Sequence, residues 1–145
     1  MEKTFKGRVV IEGEGKFKAL VSHSGFNTLA SYKNCKKGKN ICTDQNNKDL
    51  YGKSTVGVAL CLPETIGSTT GGMVLYNAAF TNCNPGALLF SKNIDSLAAA
   101  GAILSSVWTP NSMPTVDRLG EDFLNYVKDG MEIEIQKDGV VICRD

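Results

Sequence analysis

Seven consecutive residues, Val56-Gly-Val-Ala-Leu-Cys-Leu62, carry no charged side chain and no polar one beyond a thiol. The run is too short for a buried helix and is bounded by Thr55 and Pro63. That combination describes a strand covered on both faces. Gly67-Ser68-Thr69-Thr70-Gly71-Gly72 follows, and then Met73 to Phe80, which reads as a helix ended by Asn82-Cys-Asn-Pro85. Strand, glycine loop and helix in succession call for an α/β layer. The loop also has chemical possibilities. Its glycines allow the backbone to approach a bound group closely. Free N–H groups at a helix start attract an anion, and the hydroxyls of Ser68, Thr69 and Thr70 occupy the same place. A small carboxylate or phosphate would fit. An ordinary turn, with Ser68 or Thr69 as the N-cap, fits the same residues.

The rest of the chain surrounds this unit. Lys6-Gly-Arg-Val-Val-Ile11 and Lys16 to Val21 read as strands joined through Glu12-Gly-Glu-Gly15, a candidate antiparallel pair. From Ser24 to Lys53 the chain is polar and without period, with Phe26 and Leu29 as isolated apolar residues that anchor it or touch a partner. A loop of that length in a compact domain usually has a function. Gly86 to Phe90 is a second buried strand. Asp95 or Ser96 caps a helix, Leu97 to Leu104, whose small residues suggest close packing against a sheet. Val107-Trp108-Thr109 reads as a short strand stopped by Pro110, and Pro114 to Asp117 is extended again. Gly120 to Lys128 is a short helix that buries Phe123, Leu124 and Val127. Met131, Ile133 and Ile135 alternate with polar residues, and Asp138-Gly139 turns the chain back into Val140 to Cys143 as a hairpin. The sum is one mixed α/β domain over residues 1–145, with mixed sheet layers and two to three helices.

Composition narrows the function classes. The net charge is +1, and the one basic cluster, Lys33 to Lys39, has no aromatic residue among its cations beyond Tyr32 at its edge. Neither nucleic acid nor an anionic membrane is called for. No apolar run reaches the length of a membrane span. Met1-Glu-Lys-Thr-Phe-Lys lacks the apolar stretch of a signal peptide, so the expected compartment is the cytoplasm. The five cysteines (Cys35, Cys42, Cys61, Cys83 and Cys143) show no C-x-x-C spacing. A disulfide framework, a zinc site and an iron–sulfur site held by this chain alone are therefore not expected. Cys61 and Cys143 read as core residues, Cys35 and Cys42 as exposed thiols. The lone histidine, His23, reads as a polar residue at a strand end.

Taken together, several of these segments resemble a known family. They are Gly7-Arg8-Val9 with Ala19-Leu20-Val21-Ser22, Leu50-Tyr-Gly52, Gly67 to Tyr76, Ala98 to Ile103, and Pro114 to Asp117. In this order and spacing they are similar to the swivel domain, or small subunit, of aconitase X. That group includes archaeal phosphomevalonate dehydratase and bacterial cis-3-hydroxyproline dehydratase. The resemblance runs from about Lys6 to Ile142 and is weakest over Gly25 to Asp49. It implies a swivelling β/β/α fold and an α,β-elimination of water from a small hydroxy acid. It implies that Ser68 is the serine the family's loop contributes as base, with Gly67, Thr69, Thr70 and Gly71 holding the substrate carboxylate. It further implies an iron–sulfur cluster on a separate large subunit, in a heterodimer inactive without that subunit.

The chain departs from the family at points that bear on the substrate. Thr70 stands where aconitase itself has an arginine. Thr70 and Gly72 replace the residues of the Gly-Ser-Thr-Val-Gly-Ser form found in many archaeal members, and only Gly25-Phe26-Asn27 approaches the family's Phe-x-Gly-Gly segment. The loop offers no basic residue for a phosphate, which favours a hydroxyproline-like acid. Asp117-Arg118 reads as a surface pair at a helix start, with contact from Arg118 to a carboxylate as the less favoured reading, and Lys53 is a similar minor candidate for substrate contact. A non-catalytic anion-binding or regulatory module is the alternative function. A phosphohistidine-type swivel domain would need a histidine in the glycine loop, and there is none.

Overall fold

The computed structural model describes residues 2–33, 35–66 and 71–145. The strands differ in how many faces they bury, and β3 (Gly15–Val21) shows both cases within seven residues. Its first half, Gly-Lys-Phe-Lys, alternates polar and apolar and pairs antiparallel with β9 (Glu132–Ile135), matching Gly15 to Ile135 and Lys18 to Glu132. Its second half, Ala-Leu-Val, is buried throughout and pairs in parallel with β5 (Ala59–Leu62), matching Ala19 to Ala59 and Val21 to Cys61. Alternation suits a half-solvated antiparallel pair, and continuous apolar sequence suits a parallel strand covered on both sides. β5 and β7 (Ala87–Phe90) are of the second kind, with every residue buried. β8 (Thr115–Asp117) continues the parallel series.

The antiparallel side is completed by β10 (Val140–Arg144), which forms the expected hairpin with β9. The N-terminal segment does not form the expected hairpin with β3. It breaks at Gly7 into β1 (Glu2–Lys6), which pairs with β10, and β2 (Arg8–Ile11), which pairs with β8. The order is β1-β10-β9-β3-β5-β7-β8-β2. The two edge strands are successive segments of one chain, so the ladder returns upon itself. Gly7 is the joint: its N–H donates to the Gly139 carbonyl at 3.1 Å, and a Cβ there would run into the Asp117 carbonyl and stand 2.7 Å from Val116 Cγ1.

Closure creates an inside and an outside. Ala19, Val21, Ala59, Cys61, Ala87, Leu89, Val116, Ile133, Ile135, Val141 and Cys143 form the inner cluster, which is plugged by Phe123 and Leu124 of α4 (Glu121–Tyr126) together with Val127. The intervening residues Leu20, Leu60, Leu62, Leu88 and Phe90 face outward into a second cluster. There they meet Leu75, Ala78 and Ala79 of α2 (Gly71–Phe80) and Phe26, Tyr32, Cys42 and Leu50 of the 24–53 segment.

That segment is far more structured than its polar sequence suggests. It contains β4 (Phe26–Asn27) and one turn of helix, α1 (Thr28–Ser31), capped by the Asn27 side chain on the Ala30 N–H. Phe26 is buried and packs edge-on against Tyr32 with 6.0 Å between ring centroids, while Leu29 stays exposed. Asn40 and Asn47 are buried and donate to Thr55 Oγ1 and Ser22 Oγ. Cys42 is buried rather than exposed, because it packs in the outer cluster.

α3 (Ser96–Trp108) runs one turn past the expected end and absorbs the strand expected at Val107–Thr109. Ser105 Oγ and Ser106 Oγ return hydrogen bonds to the carbonyls of Gly101 and Ile103, and the Thr109 N–H closes on Ser105. The small residues of α3 serve a helix–helix contact. A Cβ at Gly101 would stand 2.9 Å from Gly72 Cα and still closer to the Gly72 carbonyl. With α1, four helices are present among the described residues, against the two to three expected.

Candidate functional site

Four of the predicted site residues, Gly67, Ser68, Thr69 and Thr70, lie outside the described residues. The fifth, Gly71, opens α2, which places the loop between strand and helix. Both flanks of the loop are described, and both are tied to the first turns of α3. On the entry side, β6 (Thr65–Ile66) pairs in parallel with β4, and the Phe26 N–H donates to the Glu64 carbonyl at 2.8 Å. The Thr65 hydroxyl is hydrogen-bonded to the Asp95 carboxylate. The same carboxylate caps α3 by accepting from the Ala98 N–H at 2.9 Å. On the exit side, Gly72 lies against the Leu97 carbonyl and Gly101, where no side chain would fit. Asp95 therefore performs the expected capping and also fixes the strand that leads into the loop.

The parallel strands β3, β5, β7 and β8 end at Val21, Leu62, Phe90 and Asp117. These ends are laced together. Ser22 donates to Cys61 O, Ser91 to Leu62 O, Leu119 to Phe90 O and Arg118 to Lys92 O, all between 2.8 and 3.1 Å. Two cations stand on this rim. Lys92 Nζ is 3.8 Å from Glu64, three residues before the loop, and Arg118 Nε donates to Asn93 Oδ1 at 2.9 Å. Arg118 has φ 57°, a left-handed conformation that non-glycine residues rarely hold. Lys92 went unnoticed in the sequence. Its one signal there is its place two residues past the end of a buried strand.

Asp117 is not the surface residue its position suggested. It is fully buried and accepts from Arg8 Nε at 2.9 Å, Arg8 Nη2 at 2.6 Å and the Ile94 N–H at 2.8 Å. Burial pushes its pKa up, but the Arg8 guanidinium and the Ile94 N–H outweigh that and hold it below the usual carboxylate value. Asp117 thus fastens β2 to β8, while the Arg118 side chain turns to Asn93.

His23 lies just past β3, with its ring 3.5 Å from Asp49 and its backbone N–H donating to the same carboxylate. Lys53 pairs with Asp129 at 2.9 Å. The two line a cleft of about 330 Å³ with Asp49 and Asp129. Lys53 thus stands in an ion pair with Asp129.

The cysteines do not make a cluster site. Cys61 and Cys143 are in the inner core, and burial raises both thiol pKa values, that of Cys143 to about 11. Cys83 donates to the Lys36 carbonyl at 2.6 Å, and Cys35, half-buried, contacts Thr81 Oγ1 at 3.4 Å. Among the described residues no three metal-ligating side chains converge. Nor is any described helix long and apolar enough to cross a membrane.

A model of the aconitase X swivel domain matches residues 4–143. The chain belongs to the aconitase X swivel-domain family. A relative named phosphomevalonate dehydratase small subunit, from Methanothermobacter thermautotrophicus, is 32% identical over 131 residues, covering 90% of this chain and 92% of its own. One of the same name from Methanosarcina mazei is 30% identical, covering 87% and 80%. The crystal structure of Thermococcus kodakaraensis aconitase X in its holo-form superposes with a TM-score of 0.84 at 26% identity, covering 99% of both chains. The closed sheet with its outer helices is thus the aconitase X swivel fold. The family's small subunits are named for a dehydratase.

Proposed function

We propose that this chain is the small subunit of an aconitase X-type dehydratase that removes water from a phosphorylated hydroxy acid. The family match over residues 4–143 carries this reading. The named relatives favour phosphomevalonate as the substrate. The absence of a basic residue from the glycine loop had pointed to a hydroxyproline-like acid instead. Lys92, which reaches Glu64 just before β6, and Arg118, whose N–H donates to the Lys92 carbonyl, are cations that could meet that need. They are the groups assigned here to the phosphate.

In this scheme Ser68 removes the proton next to the substrate carboxylate. A neutral serine is a poor base, so its alkoxide needs the N–H groups at the start of α2 and the positive end of that helix. Gly67, Thr69, Thr70 and Gly71 hold the carboxylate. A large subunit would complete the site, and an iron–sulfur cluster held there would supply Lewis acidity toward the departing hydroxyl.

The test is to co-purify the chain with its large subunit and assay loss of water from phosphomevalonate. Ser68→Ala should leave the complex intact and lower kcat by about 10²–10⁴-fold, the usual contribution of a general base. Full activity in that variant removes Ser68 from the chemistry. Turnover of cis-3-hydroxyproline alone would reassign the substrate and keep the reaction class. A complex inert on both acids, with phosphate bound by the isolated chain, would favour the anion-binding module.

A further inference from the structure

The 23 residues of α2 and α3 include no Asp, Glu, Lys or Arg, in a chain that is 21% charged. Helices that remain against water normally carry charge on the face turned away from the core. Here that face is apolar. Met73, Phe80, Val107 and Trp108 are each 60–67% exposed, and Leu97 and Ile103 are exposed as well. Tyr76 joins the two helices, with its ring centroid 6.5 Å from Phe80 and 6.2 Å from Trp108. The Gly72–Gly101 contact brings the helices close enough for the two rows to form one surface.

Weighted by exposure, these side chains offer on the order of 700 Å² of surface, at about 150–250 Å² for a large side chain. The largest apolar patch on a typical monomer is about 300–600 Å². A standard interface buries about 800 Å² on each partner. The patch therefore has the area of one side of a stable complex, with the exposed aromatic anchors that dominate such interfaces.

We propose that the outer face of α2 and α3 is the surface that docks on the large subunit. The proposal rests on the reading of this chain as a small subunit. It adds where the partner sits: across α2 and α3, the first of which begins at Gly71. The partner's matching surface is apolar and uncharged, since an uncharged face gives a buried charge nothing to pair with.

The test uses the full chain and its large subunit. Trp108 is the only tryptophan, so 5-fluorotryptophan gives a single fluorine resonance on the patch. That resonance should shift when unlabelled large subunit is added. The double variant Phe80→Glu with Val107→Lys should lose at least about 100-fold in affinity, as removal of central hot spots does. Its urea midpoint and circular dichroism should match the wild type, because both side chains are exposed. Tyr51→Glu, exposed elsewhere on the chain, should bind normally.

A double variant that keeps wild-type affinity, or a fluorine resonance that does not move in a formed complex, overturns the docking surface and leaves the small-subunit reading standing. If wild type fails to bind the large subunit at all, both fall. If the isolated chain dimerises and the double variant abolishes only that dimer, the face serves a second copy and the proposal is wrong.

Discussion

Gly101→Ala puts the helix contact behind the glycine loop to a test of sign. A glycine inside a helix costs about 1 kcal/mol relative to alanine. Were Gly101 unconstrained, the substitution would therefore stabilise the chain by about that amount. The structure reverses the expectation. The new Cβ would stand 2.9 Å from Gly72 Cα and closer still to the Gly72 carbonyl. Both obstacles are backbone, so no side chain can swing aside. The helices would have to part by roughly 0.5–1 Å, forfeiting a quarter to a half of the dispersion energy across the contact. Overpacking of this kind costs about 1–3 kcal/mol. Set against the propensity gain, the net result is about 0–2 kcal/mol of destabilisation. The assay is urea unfolding followed by circular dichroism, with Ala100→Gly measured alongside as the exposed counterpart that should simply lose about 1 kcal/mol. A rise of about 1 kcal/mol in Gly101→Ala would refute the close approach. Because Gly72 is the last residue of the glycine loop, the variant should also lower kcat in a complex with the large subunit.

Gly7→Ala should cost about 2–3 kcal/mol in urea unfolding, since its Cβ would strike the Asp117 carbonyl at the joint between β1 and β2. Phe26→Ala should cost about 3–5 kcal/mol and expose the 24–53 segment to limited proteolysis, because Phe26 is a fully buried anchor under that segment. Asp117→Asn should cost about 1–2 kcal/mol at neutral pH through its weakened bonds to Arg8 and Ile94. The folded-state pKa of Asp117 lies below its ordinary value of 3.8, so the wild-type advantage is fully present above that value. It should vanish as the pH falls through the lower folded-state value, and stability curves from pH 7 to pH 2 would show the two chains converging.

Local pattern was enough for the parallel core. The uncharged runs around Leu60 and Leu89 could be nothing but two-sided strands, and the Asp138-Gly139 turn announced its hairpin. The failures share a cause. Arg8 finds Asp117 and Glu2 finds Arg144 across more than a hundred residues, and nothing near Gly7 reports that the strand changes partners there. Val107 and Trp108 have strand-like side chains, yet the helix runs on through them to its closure by Thr109 on the Ser105 carbonyl, with Trp108 against Tyr76 of α2. The 24–53 segment looked structureless because it is held by buried asparagines and single aromatic anchors, which have no period to detect. At the candidate site, composition singles out the glycine loop and Arg118 as candidates, whereas Lys92 carries no local signal because its place depends on where neighbouring strands end.

The joint at Gly7 also orders events in time. β1 can pair only with Val140–Arg144, so the ring cannot shut until that segment has left the ribosome. A chain held at residue 130 could assemble β3, β5, β7 and α2, but its inner apolar wall would stay open where β9 and β10 belong. Closing a loop of about 140 residues carries a large entropic cost that only the finished sheet repays. Until then Val21, Leu89 and Val116 are available to any passing apolar surface, and the half-built sheet is the state most exposed to aggregation.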